Sequence, residues 1–311
     1  MHPVNKAFFD GLIDYAGLFP PSKLPMEKAV ERFARHIRSE HAWVLAHFIC
    51  PVTRLGEFVE HARVMLPGTW ATSGYREMAD DSEPWRISAI VDGDLDACLD
   101  TVVAFNEHHS KEDNGLAQID SIEMRVSSPD EIDRAIEEIP EDIHPYFEFP
   151  ISGDCRGFVA ALAGDEAAAK IRCGGVTPDL IPPTSDIARF LHAARAGGVR
   201  FKATAGLHHP IRAEHALTYE TDSPKALMHG YLNLFMAAAF VRSGKSELDA
   251  TEKILEERDP TAFRFSEEGV RYKDLALTPG EVVKAREGFA VGYGSCSFDE
   301  PVGDAKKLGL L

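Results

Sequence analysis

The chain has 311 residues, of which 44% are hydrophobic and 9% aromatic, so it has enough apolar side chains to bury the core of a large globular protein. Its 33 basic and 50 acidic residues give a formal net charge of −17, which disfavours nucleic acid or an anionic membrane as the main partner. We therefore expect a small-molecule substrate, and an anionic one would need a local cationic pocket.

The N-terminus lacks the basic segment and the long apolar core of a signal peptide. The longest apolar run, LFMAAAFV, is far shorter than the ~20 residues that span a bilayer. The cysteines are scattered, with no C-x-x-C pair, at Cys50, Cys98, Cys155, Cys173 and Cys296. This pattern suits a reducing compartment better than a disulfide framework or a zinc site, so we expect a cytoplasmic protein without a cofactor.

Short apolar runs alternate with helix-period segments along the chain, which is typical of parallel β/α architecture. The predicted strands are LIDYAGLF, WVLAHFIC, WRISAIV, DSIEMRV, PYFEFP, AAAKIRCG, VRFKATAG and AVGYGSCS. The predicted helices between them include PMEKAVERFARHIRSEH, LGEFVEHARVML, DLDACLDTVVAFNEHH, SPDEIDRAIEEI and TSDIARFLHAARAGG. Eight strands with helical crossovers predict a single-domain eight-stranded β/α (TIM) barrel over residues 1–311, with its active site at the C-terminal ends of the strands.

Residues 221–278 do not follow this alternation. They contain an apolar helix, PKALMHGYLNLFMAAAFVRSG, a second helix, SELDATEKILEER, and a segment, AFRFSEEGVRYKDLAL, that predicts a hairpin turning at SEEG. We interpret them as an insertion between the seventh and eighth strands. The apolar stripe of the first helix favours internal packing or a subunit interface, which leaves a homo-oligomer open.

Charged residues inside barrel strands are informative, because such strands are covered on both faces and usually apolar. Residues two apart in a strand point to the same side, and polar residues share one side of four neighbouring predicted strands. They are Glu123 and Arg125, then Tyr146 and Glu148, then Lys170 and Arg172, then Arg200, Lys202 and Thr204, with Asp14 on the first strand. A single polar residue on a barrel strand is compatible with a salt-bridge network or a solvated barrel mouth. Polar residues on four adjacent strands together favour a functional site inside the barrel.

Lys170 has the clearest chemistry among these residues. A lysine amine attacks a carbonyl only in its unprotonated form, which requires desolvation or a nearby cation. Arg172 lies on the same predicted strand and Lys202 on the next one. Glu123, within reach of the same centre, could move protons to and from a carbinolamine. These are the parts of a Schiff-base-forming lyase.

In order and spacing, these segments resemble deoxyribose-phosphate aldolase and its class I aldolase relatives, which are β/α barrels. LIDYAGLFPP, HFICPVTRL, WRISAIVDGD and DSIEMRV are similar to that family's first four strands. AAAKIRCGG with TSDIARFLHAA resembles the strand and helix that carry the Schiff-base lysine, and GVRFKATAGLHH resembles the seventh strand. The resemblance implies that Lys170 is the nucleophile and that Lys202 favours its unprotonated form. Glu123 stands where the family has a proton-relaying Asp, and Asp14 would also move protons.

The sequence departs from this family after two of the strands. Arg172 and Cys173 stand where the family has small hydroxyl residues, and AGLHHP and GYGSCSF replace its phosphate-binding loops. Arg172 would then hold a carboxylate, hydroxyl or phosphate of an anionic or polyhydroxylated substrate. A second alignment places VRFKATAG on the Schiff-base strand and makes Lys202 the nucleophile.

Further residues near the predicted barrel mouth are candidates for substrate binding. They are Arg125, Glu148, Arg200, Thr204, His208, His209 and Ser295. His208 and His209 are adjacent and point apart in an extended segment, so we do not expect both to bind one metal. Ser295 lies in GYGSCS, a turn able to present backbone N–H groups to an anion. Cys296 has no evident histidine partner in the sequence and is a weak candidate nucleophile.

Two other functions stay open. Glu123 and Glu148, with Asp92 as a third carboxylate, could hold Mg²⁺ while Lys170 abstracts a proton next to a carboxylate, as in metal-dependent enolising barrels. Alternatively, a non-catalytic barrel could bind an anionic metabolite through its arginines. The arginines concerned are Arg125, Arg172 and Arg200. Sensitivity to a chelator identifies the metal-dependent enzyme, and anion binding that survives Lys170→Ala identifies the binding protein.

Overall fold

The computed structural model of the chain describes residues 2–68 and 83–311. Its strands, numbered in chain order, are β1 Ile13–Tyr15, β2 Leu45–Pro51, β3 Trp85–Ile90, β4 Ala117–Arg125, β5 His144–Glu148, β6 Ala168–Arg172, β7 Phe201–Thr204, β8 Ala213–Ala216, β9 Lys225–Met228, β10 Phe263–Ser266, β11 Gly269–Tyr272, β12 Leu275–Leu277 and β13 Ala290–Ser295. Parallel strands close into a barrel in the order β1-β13-β7-β6-β5-β4-β3-β2. This confirms the predicted eight-stranded β/α barrel, and each predicted barrel strand overlaps an observed one.

Helices surround the barrel. They span Pro3–Phe9, Met26–His36, Leu55–Ala62, Leu95–His109, Pro129–Glu138, Arg156–Leu162, Thr184–Gly197, Tyr231–Arg242, Leu248–Leu255, Pro279–Gly288 and Asp299–Lys307. The local sequence explains several of their ends: Asp94 caps one N-terminus, Thr278 and Glu281 form a capping box at another, and Gly198 in the left-handed conformation ends a third. Over residues 2–68 and 83–311, no helix combines the length and the apolar character needed to cross a membrane.

Between β7 and β13 the chain makes the long excursion that the sequence predicts. β10, β11 and β12 form an antiparallel sheet, and the turn between β10 and β11 falls at the predicted SEEG. Helix Tyr231–Arg242 is buried from Tyr231 to Val241 and contacts the neighbouring helices Thr184–Gly197, Leu248–Leu255 and Pro279–Gly288. Its apolar stripe therefore packs within the chain.

One predicted helix starts too early. The apolar helix predicted from Pro224 begins only at Tyr231, and Lys225–Met228 is instead strand β9, which pairs with β8 in an antiparallel ribbon. The four-residue segment is too short for its apolar pattern to separate helix from strand, and pairing with β8 satisfies its backbone groups. Gly230 then lets the chain pass close to the Pro210 carbonyl, where a Cβ would collide.

The strand register brings the predicted polar residues to one level of the barrel. Glu148 and Lys170 are Cα partners across β5 and β6, and Lys170 and Lys202 are Cα partners across β6 and β7. On the other side of β5, Glu123 is the Cα partner of Tyr146. Since side chains alternate along a strand, these residues share the barrel interior.

The loops that follow β6 and β7 touch each other at the barrel mouth. A Cβ on Gly206 would lie 2.7 Å from Gly174 Cα and 3.1 Å from the Cys173 carbonyl oxygen, and Gly206 has a φ of +75°. Both the close approach and the left-handed backbone require glycine at this position. These two loops form part of the wall of the cavity described below.

We expect Gly206→Ala to lower the free energy of unfolding by more than Gly153→Ala. Gly153 has a similar φ of +79° but no atom within 4 Å of its Cβ position, so its replacement costs only backbone strain, about 1–2 kcal/mol. At Gly206 the contact with Gly174 adds an overpacking cost of about 1–3 kcal/mol. Urea unfolding of both variants measures the difference, and equal losses would show that the loops separate without cost.

Candidate active site

A cavity of about 610 Å³ opens at the C-terminal ends of the barrel strands. Residues from β2, β3, β4, β5, β6, β7 and β13 line it, together with Phe19 and Pro20 after β1 and Leu180 after β6. Side chains with polar atoms or sulfur in its wall are Asp92, Glu123, Met124, Arg125, Glu148, Lys170, Arg172, Lys202, Thr204, His208 and Cys296. Catalytic groups of β/α barrels collect at this end of the fold.

Lys170, on β6, lies between two carboxylates in the wall of the cavity. Its Nζ is 2.7 Å from Glu123 Oε2 and 2.7 Å from Glu148 Oε2. All three residues are buried, so the ion pairs are weakly screened by water. An amine that could act as a nucleophile is therefore in direct contact with two groups that accept protons.

Lys202, on β7, is more completely enclosed. Its Nζ contacts Glu123 Oε1, lies 2.9 Å from Asp14 Oδ2, donates to Ser88 Oγ at 3.3 Å and lies 4.4 Å from the centre of the Tyr146 ring. Burial alone would lower the pKa of Lys202, but the Asp14 and Glu123 carboxylates outweigh burial and hold its pKa well above its ordinary value. Lys202 is therefore a fixed cation in the barrel interior.

The same ion pairs keep the carboxylates charged. Burial alone would raise the pKa of Glu123, but the charges of Lys170 and Lys202 lower it to about 2. Burial would likewise raise the pKa of Asp14, yet Lys202 and His47 hold it well below its ordinary value. Both groups are therefore anions at neutral pH.

A line of charges continues from Asp14 away from the cavity. His47, on β2, lies between two carboxylates: its Nδ1 is 2.7 Å from Asp14 Oδ1, and its Nε2 is 3.1 Å from Asp120 Oδ1. Asp120 also lies 2.6 Å from Arg86. Burial would lower the pKa of His47, but Asp14 and Asp120 raise it. His47 thus holds Asp14 in place, and Asp14 in turn positions Lys202.

Two arginines stand at the rim of the cavity. Arg172 and Arg125 each lie 3.3 Å from Glu148 Oε1, and their side chains are 34% and 76% exposed. Burial would raise the pKa of Glu148, but Lys170 and Arg172 lower it. Because both guanidinium groups are accessible, an anion that enters the cavity could replace Glu148 as their partner.

Most predicted site residues come together at this cavity. Those that line it are Glu123, Arg125, Glu148, Lys170, Arg172, Lys202, Thr204 and His208. Asp14 is not among the lining residues but pairs with Lys202, which is. The predicted grouping of polar residues from four neighbouring strands therefore corresponds to one site.

Arg200, His209 and Ser295 are not brought to the cavity wall. Arg200 precedes β7 and so lies at the opposite end of that strand from the cavity. His209 Nδ1 pairs with Asp304 Oδ2 at 2.7 Å, one helical turn beyond Glu300, the partner of His208. Ser295 donates a hydrogen bond to the Ser297 carbonyl at 2.6 Å. The hydroxyl of Ser295 therefore has a partner within its own turn.

Three features of the site were not recognised from the sequence. Ser88 donates to Glu123 Oε1 at 3.0 Å, and its hydroxyl in the apolar segment ISAIV was a signal that could have marked it. His47 carried no such signal, because its partners lie on two other strands. Cys296 has the histidine partner that the sequence did not reveal: its Sγ lies 4.0 Å from both ring nitrogens of His208.

The carboxylates considered as magnesium ligands have other partners here. Glu123 and Glu148 contact Lys170, and Asp92 Oδ1 accepts a hydrogen bond from the Thr53 N–H at 3.1 Å. In the part of the chain that the structure describes, no three His, Cys, Asp or Glu side chains form a group that could hold a metal ion.

We expect Lys202→Met to lower the free energy of unfolding by about 3–5 kcal/mol, because it leaves the Asp14 and Glu123 carboxylates buried without their cation. Asp14→Asn in the same chain should restore part of the loss by removing one of the two charges. Lys245→Met, which breaks an ion pair with Glu281 at a half-buried site, should cost about 1 kcal/mol or less. Urea unfolding compares the three, and similar losses at both lysines would contradict a buried network.

The raised pKa of His47 predicts a pH-dependent contribution to stability. A histidine whose folded-state pKa exceeds its unfolded value of 6.5 stabilises fully below that pH, and the contribution is lost as the pH rises through the folded value. We therefore expect His47→Gln to cost more stability at acidic than at alkaline pH. Burial lowers the pKa of His144 to about 4, so His144→Gln should give the opposite slope. Urea unfolding over a pH series tests both, and a pH-independent cost of His47→Gln would rule out a charged imidazole.

The cavity wall therefore combines a buried amine, two proton acceptors, a fixed cation and two accessible guanidinium groups. Such a set is suited to addition of an amine to a carbonyl group of an anionic or hydroxylated compound. No family model, curated protein or solved structure matches this chain. Its function is therefore argued from the cavity and the side chains that line it.

Proposed function

We propose that this protein is a Schiff-base-forming aldolase or lyase that acts on a small carbonyl compound through the Lys170 amine. The observation that carries the proposal is the position of Lys170, in the wall of a cavity of about 610 Å³ and 2.7 Å from each of two carboxylates. A cavity of this volume accommodates a small metabolite. The likeness of the sequence to class I aldolases supports the same assignment.

In this mechanism, the Lys170 ammonium gives a proton to Glu148 or Glu123, and the free amine adds to the substrate carbonyl carbon. The carbonyl π electrons move to oxygen, which then takes the extra proton of the nitrogen to give a neutral carbinolamine. The carboxylic acid then protonates the carbinolamine hydroxyl, which leaves as water and yields a protonated imine. When the carbon–carbon bond breaks, its electron pair moves to the imine nitrogen, and a carboxylate accepts the proton of the substrate hydroxyl. Ammonium and protonated imine carry the same charge, so the carboxylates that pair with the resting ammonium can also pair with the protonated imine.

Lys202 has an electrostatic role in this proposal. The two lysines share Glu123, since Lys202 contacts Oε1 and Lys170 contacts Oε2. The Lys202 cation thus offsets the charge of Glu123 and leaves Glu148 as the stronger proton acceptor for Lys170. Because Lys202 is also held by Asp14, Ser88 and the Tyr146 ring, it is a poorer nucleophile than Lys170.

The rim arginines define the substrate class. Arg172 and Arg125 would hold a carboxylate, phosphate or hydroxyl group while the carbonyl carbon lies at Lys170. We therefore expect a sugar or a 2-oxo acid as substrate. All five cysteines are free thiols, which fits a cytoplasmic enzyme.

We expect borohydride to trap one substrate molecule on Lys170. The protein is incubated with a panel of small aldehydes, ketoses and 2-oxo acids, reduced, and analysed by intact mass and peptide mapping. The wild-type chain should give a stoichiometric adduct on the peptide containing Lys170, and Lys170→Met should give none. Lys202→Arg keeps the neighbouring cation and should still form the adduct, whereas Lys202→Met tests whether that cation is needed.

An adduct that maps to Lys202 would move the nucleophile to the neighbouring strand. Absence of any adduct, together with a chelator-sensitive activity, would favour the magnesium-dependent enolising enzyme instead. Anion binding that survives Lys170→Ala in a protein that forms no adduct would favour the non-catalytic binding barrel. Thermal unfolding of each variant shows that the fold is retained.

A further inference from the structure

A thiol and an imidazole lie together in the same cavity, and the proposed lyase mechanism uses neither. Cys296 follows β13, and His208 follows β7, the strand next to it in the barrel. Both residues line the cavity and are buried: Cys296 is 4% exposed and His208 is 9% exposed. Cys296 Sγ lies 4.0 Å from Nδ1 and 4.0 Å from Nε2 of His208.

Other groups orient this pair. Glu300, in the C-terminal helix Asp299–Lys307, lies 3.2 Å from His208 Nδ1 and accepts a hydrogen bond from the Tyr219 hydroxyl at 2.8 Å. Tyr219 also lies 3.8 Å from the sulfur. Ser22 donates to the Cys296 carbonyl at 3.1 Å and fixes the backbone of the cysteine. His208 therefore lies between Cys296, the candidate nucleophile, and the Glu300 carboxylate that orients the imidazole. A base placed in this way activates a cysteine.

We propose that Cys296 is a second nucleophile of this cavity, activated by His208, and that it binds small aldehydes as hemithioacetals. The thiolate sulfur forms a bond to the aldehyde carbon, the carbonyl π electrons move to oxygen, and the His208 imidazolium protonates that oxygen. Nothing is oxidised or reduced, and no group has to leave. An aldehyde is the fitting ligand because its addition needs only a nucleophile and a proton donor, and the pair supplies both.

The electrostatics of the pair agree with this assignment. Burial alone would raise the pKa of the Cys296 thiol, but His208 holds it below the ordinary thiol value of 9.0. Burial would lower the pKa of His208, whereas Cys296 and Glu300 raise it to about 9. The ionisable groups near the sulfur include His208, Tyr219 and, from β1, Tyr15, and Glu300 contacts both His208 and Tyr219. Each group of the pair therefore stabilises the charged form of the other.

The test measures the rate at which iodoacetamide alkylates each cysteine in the native protein, by peptide mapping over a pH series. Cys50 and Cys173 are internal controls, because burial raises the pKa of each thiol to about 12. We expect Cys296 to react at least about tenfold faster than either at neutral pH, since each unit of pKa changes the thiolate fraction tenfold. His208→Gln should remove this excess, Glu300→Gln should reduce it, and His209→Gln, on the histidine that pairs with Asp304, should leave it unchanged.

Propanal tests the ligand class, and propan-1-ol is the control of similar size without an electrophilic carbon. Propanal should slow alkylation of Cys296, whereas propan-1-ol should not. Both experiments are repeated in Lys170→Met, which cannot form the proposed imine. Protection that persists in this variant supports the hemithioacetal, and protection found only in the wild type assigns the effect to Lys170 and overturns the proposal for Cys296. A rate at Cys296 that is unaffected by His208→Gln, in a variant with unchanged thermal unfolding, also overturns it.

Discussion

The ammonium groups of Lys170 and Lys202 are both buried in the barrel, where an unpaired charge would cost several kcal/mol. Glu123 offsets this cost for both lysines, because one of its oxygens contacts Lys170 and the other contacts Lys202. Asp14 and Glu148 supply the remaining negative charge, from β1 and β5. The network therefore ties together strands from opposite sides of the barrel. The same ion pairs therefore hold the barrel strands together and position the side chains of the site. Removing one charge of this network affects both the stability of the barrel and the geometry of the site.

Within this network, exposure decides which cation can meet a substrate. The exposed fraction of the side chain rises from 3% at Lys202 to 8% at Lys170, 34% at Arg172 and 76% at Arg125. Lys202 is held by two carboxylates, the Ser88 hydroxyl and the Tyr146 ring, and serves as a charge. Among the described residues, Lys170 pairs with two carboxylates, and a cavity lies beside it, so its amine can change partner. The arginines are accessible enough to bind a charged group from solution. The order of burial thus matches the order of roles in the proposed mechanism.

Features set by local patterns could be predicted from the sequence, and features set by contacts between distant strands could not. The eight barrel strands follow from apolar runs, and the inward side of β4 to β7 follows from the two-residue alternation that places Lys170 with Arg172. The same alternation also selects Arg200, but alternation does not show how far along the barrel axis a residue lies. Arg200 precedes β7 and lies at the end of the strand away from the cavity. The contact of His47 with Asp14 and Asp120 joins three strands, so no spacing in the sequence reveals it.

The pairing of Cys296 with His208 shows why the segment between β7 and β13 matters for the site. In a minimal barrel, one short loop and one helix would join these strands. Here the chain instead runs through the ribbon of β8 and β9, and residues beside this ribbon, His208 and Tyr219, come to lie over the end of β13. The C-terminal helix adds Glu300 from the other side. The excursion therefore adds a second set of reactive side chains to the cavity wall. Cys296 and His208 face the same space as the Lys170 amine and its two carboxylates. A compound in the cavity can therefore meet either nucleophile, because Lys170 and Cys296 line the same space.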